Sequence, residues 1–313
     1  MKVIFGIDVG GTSIKFGKFS LDMDKGLDAV IEKFTAKTMV DENPDVLIDQ
    51  IYNEVYDHLN KDELVGIGIG IPGPVVNGYV LGAQNIKWET VNLKEKLNIK
   101  FPNIPISILN DANAATLGEW YFGYNHKKSN AILITLGTGV GGGIILNGKL
   151  VEGSTGSAGE VGHIKIYPFN GRECSCGLAG CLEQYASATG IVKTARSIMR
   201  HKMSTLSKIK YLSAKTVFDE AKAGDEVAKE VVERTAYYLS IGLASICNTI
   251  NPDVVIIGGG LSRAGDYFIN KVRAYFEDLA FFSVKFTEIV TATLFNDAGI
   301  YGNYINVMQN LNK

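Results

Sequence analysis

Two stretches of this 313-residue chain follow one plan. Residues 2–8 alternate and stop at Asp8-Val9-Gly10-Gly11-Thr12-Ser13, and Ile14-Lys15-Phe16-Gly17-Lys18-Phe19 resumes. Strand, glycine turn and strand make a β-hairpin. Residues 131–147 repeat it: Ala131-Ile132-Leu133-Ile134-Thr135-Leu136, then Gly137-Thr138-Gly139-Val140-Gly141-Gly142-Gly143, then Ile144-Ile145-Leu146. Two hairpins with Gly-Thr turns, about 125 residues apart, point to a duplicated domain, since that period is far too long for a solenoid.

Between the hairpins, residues 45–59 carry apolar positions at helical spacing behind Pro44, and residues 64–71 form a strand ending at Pro72-Gly73-Pro74. Residues 106–109 form a short strand, and Asp111 stands where the N-cap of a helix running to Trp120 belongs. Helices follow over 184–199, 214–223, 226–249 and 265–279, then a strand over 254–257, a last strand over 289–293 and a helix over 300–311. Strands alternating with helices make the class α/β. No Pro/Ser-rich linker separates the halves, so the default site is a cleft between two domains crossed by the chain.

Hydrophobic residues make up 46% of the chain, enough for one large or two medium cores. Net charge is −2, with 31 basic and 33 acidic residues well mixed, which argues against nucleic acid or an anionic membrane as partner. The apolar start is interrupted by Gly6 and Asp8 before a signal-peptide core forms, and clustered thiols fit a reducing cytoplasm. Trp88 and Trp120 read as packing residues, and Cys247 as an inert core thiol.

The densest chemistry lies between Glu160 and Glu183. Glu160-Val161-Gly162-His163 is followed by Cys174, Cys176, Cys181 and Glu183. Three thiolates and one imidazole complete a tetrahedral zinc shell with no open position, so the metal would brace rather than react. A disulfide is the competing reading; Cys174 and Cys176 are too close to pair comfortably. Glycine loops also follow three apolar strands: Gly10-Gly11-Thr12, Gly137–Gly143 and Gly258-Gly259-Gly260. None matches a Walker or Rossmann fingerprint, and a tight turn accounts for any one of them. Three together favour a triphosphate gripped from two sides, with Asp8 holding Mg²⁺ through water or capping its turn. Asn110-Asp111-Ala112-Asn113 ends a strand and opens a helix. A carboxylate there is rigidly placed, and the helix start favours its ionised form, as a proton acceptor in phosphoryl transfer requires.

Asp8-x-Gly-Gly-Thr12, Asn110-Asp111, Leu136-Gly-Thr-Gly139, Glu160-x-Gly-His163, the Cys174/Cys176/Cys181 set with Glu183, and Ile257-Gly-Gly-Gly260 together resemble the ROK sugar kinases, over residues 3–305. Within that family, residues 181–192 are most similar to those of bacterial ATP-dependent glucokinases. The resemblance implies the actin-like ATPase (ribonuclease H-like) fold, with one domain over 1–118 and 300–313 and a larger one over 119–299. It implies Asp111 as general base, with Gly73, Asn85, Asn110, Asp111, Glu160, His163 and Glu183 on the sugar. ATP would be held by Asp8, Gly10, Gly11, Thr12, Lys15, Gly137, Thr138, Gly139, Gly258, Gly259 and Gly260. Structural Zn²⁺ would sit on His163, Cys174, Cys176 and Cys181, with Mg²⁺ accompanying ATP, and the protein would be a cytoplasmic homodimer. The segment Asn85-Ile86-Lys87-Trp88 departs from the family's Asn-Leu-Gly/Pro-x-Trp spacing, which blurs the choice of sugar. Glucose phosphorylated at its 6-hydroxyl is the leading expectation. N-acetylmannosamine, fructose or a β-glucoside are the same-class alternatives, and a sugar-responsive regulator or an actin-like ATPase with a structural role the distant ones.

Overall fold

The structure is a computed structural model that describes residues 1–311. It divides into two units. The first takes Met1–Lys127, Gly148–Gly159 and the chain from Thr293 onward; the second takes Lys128–Asn147 and Glu160–Ala292.

In the first unit, β1 (Lys2–Val9), β2 (Ser13–Ser20), β3 (Val30–Lys37), β4 (Glu63–Ile71) and β8 (Ile106–Asn110) form a sheet of order β3-β2-β1-β4-β8. The three strands β1, β4 and β8 run parallel, and β2 and β3 are antiparallel additions. Strand periodicity divides β1 between two layers. Val3, Phe5, Ile7 and Val9 join the core made with Leu47, Ile48, Ile51 and Val55 of α1 (Pro44–Leu59). That helix begins with Asn43 accepting the Asp45 N–H at 3.0 Å and with Pro44 at its first position. The other face of the sheet, at Gly6 and Gly68, meets the backbone of α9 (Ala298–Leu311). Helix α9 also crosses α3 (Asp111–Gly118) backbone to backbone: a Cβ on Gly302 would overlap the Ala114 carbonyl. A smaller sheet of β5 (Val75–Val76), β6 (Tyr79–Ala83) and β7 (Trp88–Asn92) leads into α2 (Leu93–Lys100), and β11 (Lys149–Leu150) lies in the 148–159 segment.

The second unit contains β9 (Ala131–Leu136), β10 (Val140–Leu146), β12 (Val254–Gly258) and β13 (Glu288–Thr291) in the order β10-β9-β12-β13. The β9–β10 hairpin is antiparallel and β9, β12 and β13 are parallel, so the order and directions match those of β2-β1-β4-β8. The duplication expected from the two hairpins thus extends to two further strands. Helices α5 (Ala188–Met199), α6 (Ala214–Ala223), α7 (Glu226–Ile250) and α8 (Asp266–Leu279) belong to this unit.

Three expectations change. The N-cap of α3 is Asn110, not Asp111: the Asn110 side chain accepts the N–H groups of Ala112 and Asn113, and Asp111 is the first helical residue. The helix expected over 184–199 breaks at Ser187, which turns extended and caps α5 through the Gly190 N–H, leaving α4 (Glu183–Ala186) as a separate turn. Segments 119–127, 148–159 and 293–299 pack with the first unit rather than the second. One cause is Glu119, whose buried carboxylate accepts the N–H groups of Thr293, Leu294 and Phe295, each at 2.9 Å. Burial raises the Glu119 pKa above the ordinary glutamate value, against the pull of those three bonds. Trp88, Trp120 and Cys247 are buried, as expected.

Candidate functional site

Because β1, β4 and β8 are parallel, Asp8–Thr12, Gly73 and Asn110–Asp111 all emerge at one edge of the first sheet, where ligands of open α/β sheets bind. Asp8 and Lys15 stand opposite each other across the hairpin and pair at 3.0 Å. Asn85 lies against Gly11, its carbonyl backing the first glycine turn. Asn110 has both ends of its side chain engaged: Oδ1 caps α3 and Nδ2 donates to the Gly73 carbonyl at 3.1 Å. Gly73 itself has a positive φ of 93° and packs against Gly82, a conformation and a clearance that suit glycine. The structure therefore gives Asn110 a positioning duty that its sequence role as a sugar contact did not include. Asp111 follows it, half-buried in the first turn of α3, with Oδ1 accepting the Ala112 N–H at 2.8 Å.

The second sheet presents its own edge. Gly137–Gly139 end β9 and Gly258–Gly260 end the parallel β12, with Gly259 against Leu136. Gly162 lies against the Val140 carbonyl, which brings Glu160 and His163 beside the start of β10. His163 Nε2 is 3.9 Å from Glu160 Oε2. Half-buried Glu183 sits below the turn, where Oε2 accepts the Val140 N–H at 3.1 Å. A Cβ on Gly139 would overlap that oxygen, so the missing side chain clears room for a carboxylate of its own chain.

The expected zinc ligands converge. His163 Nδ1 is 3.7 Å from Cys174 Sγ, Cys176 Sγ is 3.7 Å from Cys181 Sγ, and all four ligand atoms lie within 4.8 Å of one another. Sulfurs about 2.3 Å from a central zinc lie about 3.8 Å apart on a tetrahedron, so the set has the size of a closed zinc shell. With Nδ1 facing the sulfurs, Nε2 is the ring nitrogen left toward Glu160. Taken as thiols, burial pushes Cys181 up to about 11, while hydrogen bonds from Cys176, Cys181 and His163 outweigh burial at Cys174 and bring it down to about 6. No disulfide forms among these cysteines.

Two supporting residues were not singled out in the sequence. Lys165 bridges to Cys181 and places its ammonium 2.7 Å from the Cys181 sulfur, offsetting the negative charge of a three-thiolate site. A basic residue two positions from His163, ahead of three cysteines, was the available signal. Arg172 donates to the carbonyls of Gln184 and Gly190 and to Thr194 Oγ1, and stacks on Tyr185 with 4.6 Å to the ring centre. It holds the break between α4 and α5, and nothing local in the sequence marks that role.

Comparison with known proteins gives consistent results. The ROK family model matches residues 4–310. A glucokinase of Halalkalibacterium halodurans is 40% identical over 310 residues, covering 95% of this chain and 92% of that protein. A glucokinase of Thermotoga maritima is 35% identical over 308 residues, covering 96% of this chain and 95% of that protein. The crystal structure of a ROK family glucokinase from Streptomyces griseus with glucose and AMPPNP superposes with a TM-score of 0.77 at 30% identity, over 98% of this chain and 99% of the other. The α/β architecture is accordingly the actin-like ATPase fold of the ROK kinases. Among the described residues no helix is long and apolar enough to cross a membrane.

Proposed function

Since this chain belongs to the ROK family, we propose that it transfers the γ-phosphate of ATP to the 6-hydroxyl of glucose. The observation that carries this reading is near-full-length similarity to two glucokinases.

Asp111 is the base. Its carboxylate stands at the end of β8, in the first turn of α3, where Oδ1 accepts the Ala112 N–H at 2.8 Å. It accepts the proton of the attacking hydroxyl as the phosphoryl group arrives, a contribution of about 10²–10⁴-fold for a placed general base. Mg²⁺, when bound with ATP, neutralises phosphate charge, and Asp8 is the residue suited to hold it through water. The phosphates fall to the glycine turns: Gly10–Thr12 with the Lys15 ammonium, Gly137–Gly139 and Gly258–Gly260, where the Gly10 and Gly137 N–H groups already serve the Ser13 and Gly139 carbonyls and the other N–H groups are the candidates.

Glu160, His163 and Glu183 recognise the sugar; within the first unit, Asn85 backs the first glycine turn and Asn110 holds Gly73. His163, Cys174, Cys176 and Cys181 would hold structural Zn²⁺, and an imidazole bound through Nδ1 would keep its proton on Nε2. Nε2–H and the Glu160 carboxylate, 3.9 Å apart, can then bracket one hydroxyl oxygen, the imidazole donating to it and the carboxylate accepting from it. A pair of that polarity selects an alcohol over a group that only donates or only accepts.

A sugar panel with Mg·ATP, read by ADP release, tests the assignment. Glucose should give the highest kcat/KM; preference for N-acetylmannosamine, fructose or a β-glucoside would move the enzyme within its family, and ADP release indifferent to sugar would end the kinase reading. A cytoplasmic homodimer completes the proposal, with the oligomer open to sedimentation measurement.

A further inference from the structure

The segment after Cys181 reaches back to the β9–β10 turn at three points. Glu183 Oε2 accepts the Val140 N–H at 3.1 Å, the Ala188 N–H donates to the Gly137 carbonyl at 2.9 Å, and the Thr189 hydroxyl donates to the Thr138 carbonyl at 3.0 Å. Glu183 has a role at the sugar, and Ala188 uses a donor that any helix start leaves over. Thr189 is different. It lies on the exposed start of α5, where threonine is a mediocre helix former, and its hydroxyl is directed to a carbonyl of the glycine turn.

We propose that Thr189 is a positioning residue for the nucleotide phosphates, setting the peptide plane between Thr138 and Gly139. A trans peptide is planar, with its C=O and N–H on opposite sides. Holding the Gly137 carbonyl toward α5 turns the Thr138 N–H away from that helix, and holding the Thr138 carbonyl does the same for the Gly139 N–H. Two successive N–H groups aimed to one side make a concavity for an anion. The turn's own bond, from the Gly137 N–H to the Gly139 carbonyl at 3.0 Å, involves neither of those two planes, and glycine at 137 and 139 widens the range they can take, so the contacts from α5 select their orientation. The segment that supplies the contact is the one tethered by Cys181, so the zinc lobe sets the phosphate turn as well as the sugar groups. This inference rests on reading Gly137–Gly139 as a phosphate loop.

Thr189→Val removes the hydroxyl and keeps the shape; Thr189→Ser keeps the hydroxyl. Calorimetric titration of the full zinc-loaded chain with Mg·AMPPNP reads the effect without turnover, whichever sugar the enzyme prefers. T189V should bind AMPPNP about five-fold more weakly, the scale of one hydrogen bond, and T189S within about two-fold of wild type. Glucose affinity, zinc content and thermal midpoint should stay at wild-type values in both. Unchanged AMPPNP affinity in T189V, a T189S as weak as T189V, or a parallel loss of glucose affinity overturns the proposal. If wild type binds AMPPNP but leaves glucose unphosphorylated, the functional reading fails, while Thr189 is still judged by the same titrations. A wild type that does not bind AMPPNP overturns both.

Discussion

The two units build the same four-strand order and then brace their first glycine turn by different means. In the first, the brace is local: Asp8 and Lys15 face each other one pair before the turn and form an ion pair. In the second, the corresponding register pair is Thr135 and Gly141, which carries no charge, and the turn is held by Glu183, Ala188 and Thr189. The units also differ in how they use a carboxylate against backbone. Glu119 is 2% exposed and accepts three N–H groups, whereas Glu183 is half-buried and takes the N–H of Val140. A carboxylate saturated by backbone and sealed from water is a structural tie; one partly engaged and partly open retains capacity for a ligand. On the function proposed above, a duplicated scaffold would carry catalysis on a self-braced half, at Asp111, and substrate recognition on the half that holds the His163/Cys174/Cys176/Cys181 cluster.

The sharpest way to break that division is Asp111→Ala. It should lower kcat by about 10²–10⁴-fold while the sugar KM stays within a few-fold and zinc content is unchanged, as read by steady-state kinetics. Near-normal turnover would remove catalysis from the first unit. Zinc removal, by chelation or by Cys181→Ser, comes next. Sugar affinity should fall on the order of ten- to hundred-fold, and hydrogen exchange should rise in residues 160–185 while residues 1–127 keep their protection. Equal loss of protection in both units would erase the contrast.

Glu119→Gln tests the structural tie. The amide has one accepting oxygen and presents its NH₂ to an N–H donor, so unfolding free energy should drop by about 1–3 kcal/mol with kcat and KM unchanged. The pH response follows from the raised folded pKa. The wild-type carboxyl contributes stability that is full below the ordinary glutamate value and lost as pH rises through the elevated one, and urea midpoints against pH should lose that slope in E119Q. The smallest effect is expected for Gly139→Ala. The new Cβ displaces a flexible side-chain end rather than backbone, so stability should hardly change, while lost Glu183 placement raises the sugar KM about five-fold.

Much of this was legible in the chain. Both hairpins were, because an apolar strand on each side of a glycine cluster has few other solutions. So was the cysteine set, because four ligands at short spacing can converge without knowledge of the fold. The break at Ser187 was not, because residues 184–199 keep a helical pattern through it and only the capping bond to Gly190 and the Arg172 guanidinium reveal it. Strands β5 to β7 escaped notice since they are short, half-exposed and spaced by Asn77-Gly78, a turn signal easily taken for loop. The anchoring of the glycine turns was also hidden. Glycine announces that something approaches closely, but not that on the Cα side of Gly139 the visitor is Glu183.

Helix α9 has a consequence for how the protein is made. It covers the face of β1 and β4 at Gly6 and Gly68, yet it is the last described helix to be synthesised. A ribosome therefore delivers every strand of the second unit, through Thr291, before the first unit can close. The unit that supplies β1 is completed only when α9 arrives, through contacts between elements far apart in sequence, a long-range closure of the kind that slows folding. Until then, the face of β1 and β4 that α9 covers stays open, the kind of transiently exposed surface that makes a folding chain prone to aggregate.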